Sequence, residues 1–205
     1  MANTYYISAA GSNAASGLTE AEAWADFAPL AERELAPGEQ VLLRRGDCWD
    51  QQLTVCGGGT PGAPVVIGAY GEGALPRICR SGDIAERCVR LENAHHLILE
   101  DLEVCQAGAG IVLFYRHSYG NEDVTIRRVE AHDFFGLYRA SGESSRNPAW
   151  QSYRAPDRVG FSLGICVTGE DSTPYNDVRV LTGFTVQDCH IYNTGAGIGL
   201  DWCDH

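Results

Sequence analysis

The stretch His96–Phe114 reads HLILEDLEVCQAGAGIVLF, and its order of apolar and polar residues decides the fold. Apolar residues alternate at Leu97 and Leu99, shift phase by one residue, and alternate again at Leu102 and Val104. Alternation over so few residues is typical of short β-strands, and the phase shift indicates a tight corner between two of them. A Gly-rich step then leads into a further apolar strand.

The same pattern recurs twice, in DVTIRRVEAHDFFGLYRA from Asp123 and in GFTVQDCHIYNTGAGIGLDW from Gly183. The three copies place apolar residues at equivalent positions: Leu97, Leu99, Leu102 and Val104; Val124, Ile126, Val129 and Ala131; Phe184, Val186, Cys189 and Ile191. The strand after the Gly-rich step begins at Ile111, Leu137 and Ile198, and a fourth candidate, GICVTG, begins its apolar alternation at Ile165. In chain order, 111, 137, 165 and 198, these starts are 26, 28 and 33 residues apart. A period of this size without helical patterns predicts a β-solenoid whose coils bury their apolar faces against each other.

The coil between Leu137 and Ile165 departs from the pattern. Its middle, SGESSRNPAWQSYRAPDRVG, lacks apolar alternation, so it is either an insertion or a coil with degenerate strands. We favour a long surface loop near residues 141–162, since a solenoid loop can lengthen without disturbing the core.

The segment Thr19–Glu34, TEAEAWADFAPLAERE, has a capping-box arrangement of Thr19 and Glu22 and a helical spacing of apolar residues. It predicts an N-terminal α-helix that covers the open end of the solenoid.

Composition narrows the classes of function. The 205 residues carry a formal net charge of −12, and all 15 basic residues are Arg, which argues against a nucleic-acid partner.

No apolar run is long enough to span a membrane, and the start MANTYYISAAGSN lacks the regions of a signal peptide. Localisation is therefore open: cytoplasmic as written, exported if a signal was removed. Eight cysteines form no CxxC pair, and reduced, buried thiols are favoured over disulfides.

Three segments of the first 80 residues carry a family resemblance: YYISAAGSNAASGLTEAEAWADF, LAPGEQVLLRRGDCW and GTPGAPVVIGAYGEGALPRI. They resemble the N-terminal region of right-handed parallel β-helix proteins of the pectate lyase-like superfamily. The resemblance implies an all-β, right-handed parallel β-helix with an N-terminal capping α-helix. It also implies a polysaccharide substrate, bound in a groove along one parallel sheet and cleaved by lyase or glycoside hydrolase chemistry.

Alternation suggests which side chains face that groove. With Ile111, Leu113, Ile165, Val167, Ile198 and Leu200 directed inward, the outer positions are Val112, Phe114, Tyr138, Cys166, Thr168, Gly199 and Asp201. Asp201 is the one carboxylate among them, and Asp204 and His205 follow it closely. Since glycoside hydrolysis needs two carboxyl groups, these three residues are the catalytic candidates, with solvated turn residues or a calcium site as the alternatives. No ligand motif supports calcium, so cofactors are unknown.

A lyase would instead need Arg or a metal to neutralise a uronate and a base to remove a proton. Together with Tyr138, the loop residues Trp150, Tyr153, Arg154 and Arg158 are candidate substrate-binding residues, because aromatic rings stack on sugars and guanidinium groups hold carboxylates. The alternative is that the loop merely packs on the solenoid. His132, Asp133, His190 and Asn193 are interpreted as parts of a structural turn ladder.

The sequence thus predicts one domain over residues 1–205, with the N-terminal cap and first strands in 1–80 and coils in 81–205. Because GAGIGLDWCDH, at the end of the sequence, matches the strand of earlier coils, we expect the domain to be incomplete at its C-terminus. The alternative function is a non-catalytic β-helix that binds glycans or serves a structural or adhesive role.

Overall fold

A computed structural model of the chain describes residues 2–31, 33–116, 121–135, 162–169, 181–200 and 203–204. In chain order the strands are β1 Thr4–Ile7, β2 Glu34–Leu35, β3 Gln40–Arg44, β4 Cys48–Trp49, β5 Leu53–Gly57, β6 Val65–Tyr70, β7 Arg77–Cys79, β8 Arg87–Glu92, β9 Leu97–Glu100, β10 Glu103–Ala107, β11 Ala109–Tyr115, β12 Glu122–Arg127, β13 Glu130–Phe134, β14 Leu163–Gly169, β15 Leu181–Gln187, β16 His190–Tyr192, β17 Ala196–Leu200 and β18 Cys203–Asp204. Within the described residues, no helix is long and apolar enough to cross a membrane.

The strands form three parallel sheets, and the chain visits them in the same order in every coil. Sheet A has the order β1-β3-β6-β9-β12-β15-β18, sheet C the order β16-β13-β10-β7-β4, and sheet B the order β17-β14-β11-β8-β5-β2. From β3 onward each coil contributes one strand to A, then one to C, then one to B. This is a parallel β-helix, as the repeat pattern predicts.

The core consists of inward rows, in which equivalent residues of successive coils are register partners. The rows of sheets A, C and B are Val41–Ile67–Leu99–Ile126–Val186, Trp49–Ile78–Val104–Ala131–Ile191 and Val55–Leu91–Leu113–Val167–Leu200. Most of these side chains are fully buried. The predicted equivalence of the three repeats is therefore confirmed at their strand positions. Ile198 and Leu200 are 45% and 39% exposed, because β17 has a described neighbour on one side only.

In the three coils that begin at β9, β12 and β15, a residue in the left-handed backbone region lies at or beside each change from one sheet to the next. From sheet A to sheet C the corner residues are Asp101 (φ 56°), Arg128 (53°) and Asp188 (51°); from C to B they are Gln106 (55°), Asp133 (57°) and Asn193 (49°); from B to A they are His96 (44°), Asp123 (53°) and Gly183 (73°). The one-residue phase shift in the sequence is this A-to-C corner.

β13 ends at Phe134 and β14 begins at Leu163, yet β14 is the next strand of sheet B after β11. β11 pairs directly with β14, so Val112 is the register partner of Cys166 and Ile111 that of Ile165. The prediction that a strand starting at Leu137 lies between these two strands of sheet B was therefore wrong as to its place in the sheet. Leu137 and Tyr138 themselves lie outside the described residues. Apolar alternation over so few residues does not fix the place of a segment in the stack of strands.

The predicted N-terminal α-helix was also wrong. The segment Thr19–Glu34 contains two three-residue 3-10 turns, Glu20–Glu22 and Ala28–Leu30, and the Thr19 hydroxyl does accept a hydrogen bond from the Glu22 amide. Between the turns the backbone is extended at Ala23, and Trp24 bridges Ile7 in parallel. The hydrogen bonds run from Trp24 N to Tyr6 O (2.9 Å) and from Ser8 N to Trp24 O (2.8 Å). A helix would have left these edge groups of β1 unpaired, and Pro29 would have interrupted it.

Trp24 anchors this segment to the first coil. Its ring stacks on Tyr5 at 5.1 Å, and its indole nitrogen donates to the Ala15 carbonyl at 3.1 Å. Gly17 lies against the other part of the ring: a Cβ at that position would stand 2.4 Å from Trp24 Cε2. The segment thus covers the edge of β1 with backbone pairing and a buried indole.

Gly17→Ala tests this packing against Gly46→Ala. Both glycines have positive φ, +74° and +85°, but a Cβ at Gly46 meets no atom within 4 Å. Gly46→Ala should lower the free energy of unfolding by about 1 kcal/mol through backbone strain alone. Gly17→Ala should cost a further ~1–3 kcal/mol, because the indole must move. Equal losses in urea unfolding would contradict the described position of Trp24.

An ion-pair network ties the A-to-C corners of neighbouring coils together. Arg128 contacts both oxygens of Asp101 at 2.8 and 2.9 Å and also Glu100 at 2.9 Å, while Arg127 contacts Glu100 at 2.6 Å. Arg45 of an earlier coil approaches Asp101 at 3.7 Å. Hydrogen bonding from Arg128 lowers the pKa of Asp101 below its ordinary value.

Asp101→Asn should therefore destabilise the protein in a pH-dependent way. A carboxyl whose folded-state pKa is lowered contributes stability above its unfolded pKa and loses it as the pH falls through the folded value. We expect a loss of about 1 kcal/mol at pH 7, since the group is partly exposed, and a difference from wild type that shrinks below about pH 4. Asp188→Asn, at the equivalent corner two coils on, is the control. A pH-independent difference would contradict the network.

Candidate functional site

Most of the sequence-predicted site residues lie outside the described residues: Asp201, His205, Tyr138, Trp150, Tyr153, Arg154 and Arg158. For Asp204 the structure gives the backbone, which lies in β18 of sheet A as the register partner of Thr182. Asp204 therefore does not continue the sheet B row that ends at Leu200. The catalytic and substrate-binding roles of these eight residues stay predictions.

The outer face of sheet B is not an open groove at its central coils. Val112, Phe114, Cys166 and Thr168 point away from the core, as alternation predicts, yet they are only 5%, 9%, 1% and 1% exposed. Val112 and Cys166 belong to a second small apolar cluster, separate from the main core. A polymer cannot lie directly on these side chains in this structure.

The guanidinium groups next to this cluster are engaged locally. Arg90 lies over the Phe114 ring at 4.5 Å and donates to Glu92 at 2.7 Å. Burial lowers the pKa of Arg87, a neighbour in the same strand. Arg90 therefore serves packing and charge compensation within sheet B.

Sheet C carries the densest group of chemically active side chains among the described residues. Two outward rows run across its coils: Cys48–Arg77–Glu103–Glu130–His190 and Cys79–Cys105–His132–Tyr192. We call the surface formed by these two rows, with Asp133 and Asn193 at the adjacent corner, the sheet C face. Its side chains range from buried Cys105 to exposed His190.

His132 is held at the centre of the sheet C face. Its Nδ1 lies 2.9 Å from Asp133 Oδ2, and its Nε2 lies 3.3 Å from Glu103 Oε1. Its ring stacks on Tyr192 with centroids 4.8 Å apart and planes 8° apart. The hydrogen bonds from His132 and Asn193 lower the pKa of Asp133, which keeps that corner carboxyl ionised.

The two glutamates occupy equivalent positions but have different partners. Glu103 and Glu130 are register partners on β10 and β13. Glu103 contacts Arg77 Nη1 at 3.6 Å in addition to His132, whereas Glu130 Oε1 accepts a hydrogen bond from the Tyr192 hydroxyl at 2.9 Å. That bond raises the pKa of Tyr192, so the phenol stays a donor and is a poor candidate for a base.

The described cysteines form no disulfides with one another: Cys48, Cys56, Cys79, Cys88, Cys105, Cys166 and Cys189. Burial raises the pKa of Cys88 to about 12 and also raises that of Cys105. Cys105 lies on the sheet C face with Glu103 and His132, and one ligand atom from each of the three lies within 4.8 Å of the others. These are the residues of the described part that are placed to hold a metal ion.

Sequence reasoning missed Glu103, Cys105 and Glu130 as site residues and assigned His132, Asp133 and His190 to structure alone. The contact between Asn193 and Asp133 confirms the predicted ladder, but the same corner also orients His132. The signal was present in the repeats: Glu103, Glu130 and His190 each follow the corner apolar residue, so they share one outward position.

Comparison with solved structures supports the fold. The chain is similar to the GH136 lacto-N-biosidase from Eubacterium ramulus, with a TM-score of 0.71, 21% identity, and coverage of 96% of this chain and 36% of that one. It is also similar to pectate lyase Pel9A (TM-score 0.54, 15% identity, 97% and 50% coverage) and to a rhamnogalacturonan lyase (0.53, 17%, 98% and 54%).

These similarities define the class: the chain has the parallel β-helix fold found in polysaccharide lyases and a glycoside hydrolase. It spans about a third of the lacto-N-biosidase and about half of each of these two lyases. No protein-family model matches the sequence. No curated protein matches it either.

The Tyr192–Glu130 hydrogen bond can be tested directly. In Glu130→Gln the anionic acceptor is lost, so the pKa of Tyr192 should fall toward the ordinary tyrosine value. The difference in tyrosinate absorbance between variant and wild type during alkaline titration measures this shift. Glu122→Gln, an exposed glutamate on sheet A, should titrate like wild type. An unchanged curve for Glu130→Gln would rule out the bond.

Proposed function

We propose that the sheet C face binds a glycan and that Glu103 and Glu130 hydrolyse a glycosidic bond in it. The observation that carries this proposal is the pairing of the two carboxylates in register on neighbouring strands, each with its own hydrogen-bond partner. Glycoside hydrolysis needs such a pair, one group to protonate the leaving oxygen and one to attack or to activate water.

The spacing of the pair favours a retaining mechanism. Register partners on neighbouring strands stand about 4.8 Å apart, and retaining enzymes hold their two carboxyl groups about 5–5.5 Å apart. In an inverting enzyme a water molecule must fit between sugar and base, which requires a wider separation. Side chains that rise side by side from adjacent strands suit the closer geometry.

The different partners suggest different roles for the two glutamates. Glu103 faces the cationic Arg77 and the ring of His132, an environment that suits the attacking carboxylate. Glu130 faces the neutral Tyr192 hydroxyl instead of a guanidinium group and is assigned as proton donor. That role requires Glu130 to take up a proton, so the glycan must displace the Tyr192 hydroxyl that favours the anionic carboxylate. Glu103 would attack the anomeric carbon while Glu130 protonates the departing oxygen. Water, deprotonated by Glu130, would then release the sugar from the Glu103 ester.

Charge favours a neutral glycan over a uronate. The sheet C face carries the carboxylates Glu103, Glu130 and Asp133, against one permanent cation, Arg77, which is itself paired with Glu103. A lyase must neutralise the carboxylate of its substrate, and this face would repel it. The net charge of −12 adds to that repulsion. The fold neighbours include both chemistries, and the higher TM-score belongs to the lacto-N-biosidase.

The test is a product assay on neutral and uronate-containing polysaccharides. We expect new reducing ends from a neutral glycan, retention of anomeric configuration in the first product by proton NMR, and no unsaturated uronate absorbance. Glu103→Gln and Glu130→Gln should each reduce the rate at least about 100-fold, the usual scale for loss of an acid–base or nucleophilic group.

Glu122→Gln is the matched control and should retain full activity. Unsaturated uronate products would replace the hydrolase proposal with a lyase. Activity that survives in both glutamate variants would move the chemistry to other residues, with Asp201, Asp204 and His205 as the next candidates.

Non-catalytic glycan binding is the second candidate, and one observation favours it. Phe135 is 44% exposed beside the sheet C face, where its ring is available to stack on a sugar. Tyr192 is 38% exposed on that face, although its ring already packs against His132 and His190. If no glycan is cleaved, Tyr192→Ala should still weaken binding in calorimetry. The two glutamate-to-glutamine variants should then change affinity only slightly.

A further inference from the structure

We propose that Glu103, Cys105 and His132 form a binding site for a zinc-class divalent metal ion on the sheet C face. The three side chains come from neighbouring strands of sheet C, and one ligand atom of each lies within 4.8 Å of the other two. They combine a carboxylate oxygen, a thiol sulfur and an imidazole nitrogen, the ligand types that zinc takes in proteins.

The position of His132 indicates a cation. Both ring nitrogens face carboxylate oxygens: Nδ1 faces Asp133 Oδ2 at 2.9 Å, and Nε2 faces Glu103 Oε1 at 3.3 Å. A doubly protonated imidazolium would donate to both oxygens, whereas in a neutral imidazole one nitrogen would present a lone pair to an anionic oxygen. A metal ion between Nε2 and Glu103 removes that repulsion and leaves the Nδ1 proton for Asp133.

Asp133 and Tyr192 complete the arrangement around the histidine. A carboxylate that accepts the second N–H of a metal-binding histidine fixes its tautomer and ring orientation. Asp133 stands in that position, and Asn193 holds it in turn. Tyr192 stacks on the ring face at 4.8 Å, which limits its rotation. The ligand is therefore oriented before an ion arrives.

The separation between Glu103 and His132 also fits a tetrahedral ion. With bonds of about 2.0–2.3 Å, two tetrahedral zinc ligands lie roughly 3.3–3.8 Å apart. The Glu103–His132 separation of 3.3 Å already has this value. Cys105 rises from the strand of Glu103 two residues on, and its register partners are Cys79 and His132. Three protein ligands leave one position open for water or a small ligand.

The ligand set argues against calcium, which takes six to eight oxygen ligands and no thiolate. It also distinguishes this site from a general acidic surface, since two of its three ligands are soft or borderline donors. The inference does not rest on glycan hydrolysis, because binding is measured without a glycan. If hydrolysis does use Glu103 as nucleophile, zinc should inhibit it and a chelator should restore it.

Metal binding is measured on the full chain, kept reduced and stripped of metal with a chelator. Titration with zinc against a chromogenic chelator should give one ion per chain. Cobalt in its place should show a thiolate-to-cobalt charge-transfer band and the intense visible bands of tetrahedral coordination. Cys105→Ser should remove the charge-transfer band, and His132→Gln should weaken zinc binding at least about 100-fold; Asp133→Asn should weaken it about 10-fold.

Cys56→Ser is the control, since that thiol lies on sheet B, and it should bind zinc like wild type. Far-ultraviolet circular dichroism of each metal-free variant checks folding. If Cys105→Ser fails to fold, His132→Gln, which changes a half-buried surface residue, decides the outcome. The proposal is overturned if zinc does not bind, if His132→Gln binds as tightly as wild type, or if cobalt shows no thiolate band.

Discussion

Every coil must turn three corners while its strands keep register with those of the coil before. In the coils that begin at β9, β12 and β15, a residue with φ between 44° and 73° lies at or beside each corner, and most of these residues are not glycine. A left-handed conformation costs a non-glycine residue about 1–2 kcal/mol, so the corners oppose folding. The inward rows of Val, Leu and Ile offset that cost, because they can be buried only if all three corners turn at the same place in each coil.

This constraint explains how much of the fold could be predicted from the sequence. The shift in apolar alternation between Leu99 and Leu102 marks the corner from sheet A to sheet C in the sequence. Aligning the repeats on this shift gives the correct register of three coils. The prediction failed where no corner enforces a pattern. A few alternating residues around Leu137 resembled a strand of sheet B, although β14 supplies that strand. In Thr19–Glu34 the helical spacing of apolar residues was real, but the open edge of β1 drew the backbone at Trp24 into an extended form.

The candidate site was harder to predict for a different reason. Alternation separates inward from outward positions, but it does not say which of three outer faces is left accessible. The outer face of sheet B is buried around Val112 and Cys166. Arginines of neighbouring coils bind the carboxylates at the A-to-C corners. The sheet C face combines glutamates, histidines, three thiols and a tyrosine, and its strands are too short to stand out in a sequence. Its contacts join residues about one coil apart, so Glu103 and His132 become neighbours only once register is known.

The regular stacking of sheet C has an evolutionary consequence. Glu103 with His132 and Glu130 with Tyr192 are the same diagonal contact, made one coil apart. Neighbouring strands of a sheet repeat every 4.7–4.9 Å, so each outward position recurs on the strand of the next coil. A functional group can therefore move to the equivalent position of the next coil by exchange of two side chains, without any change in the backbone. On such a scaffold, new chemistry can arise by moving side chains among equivalent outward positions, whereas a pocket would have to change its shape.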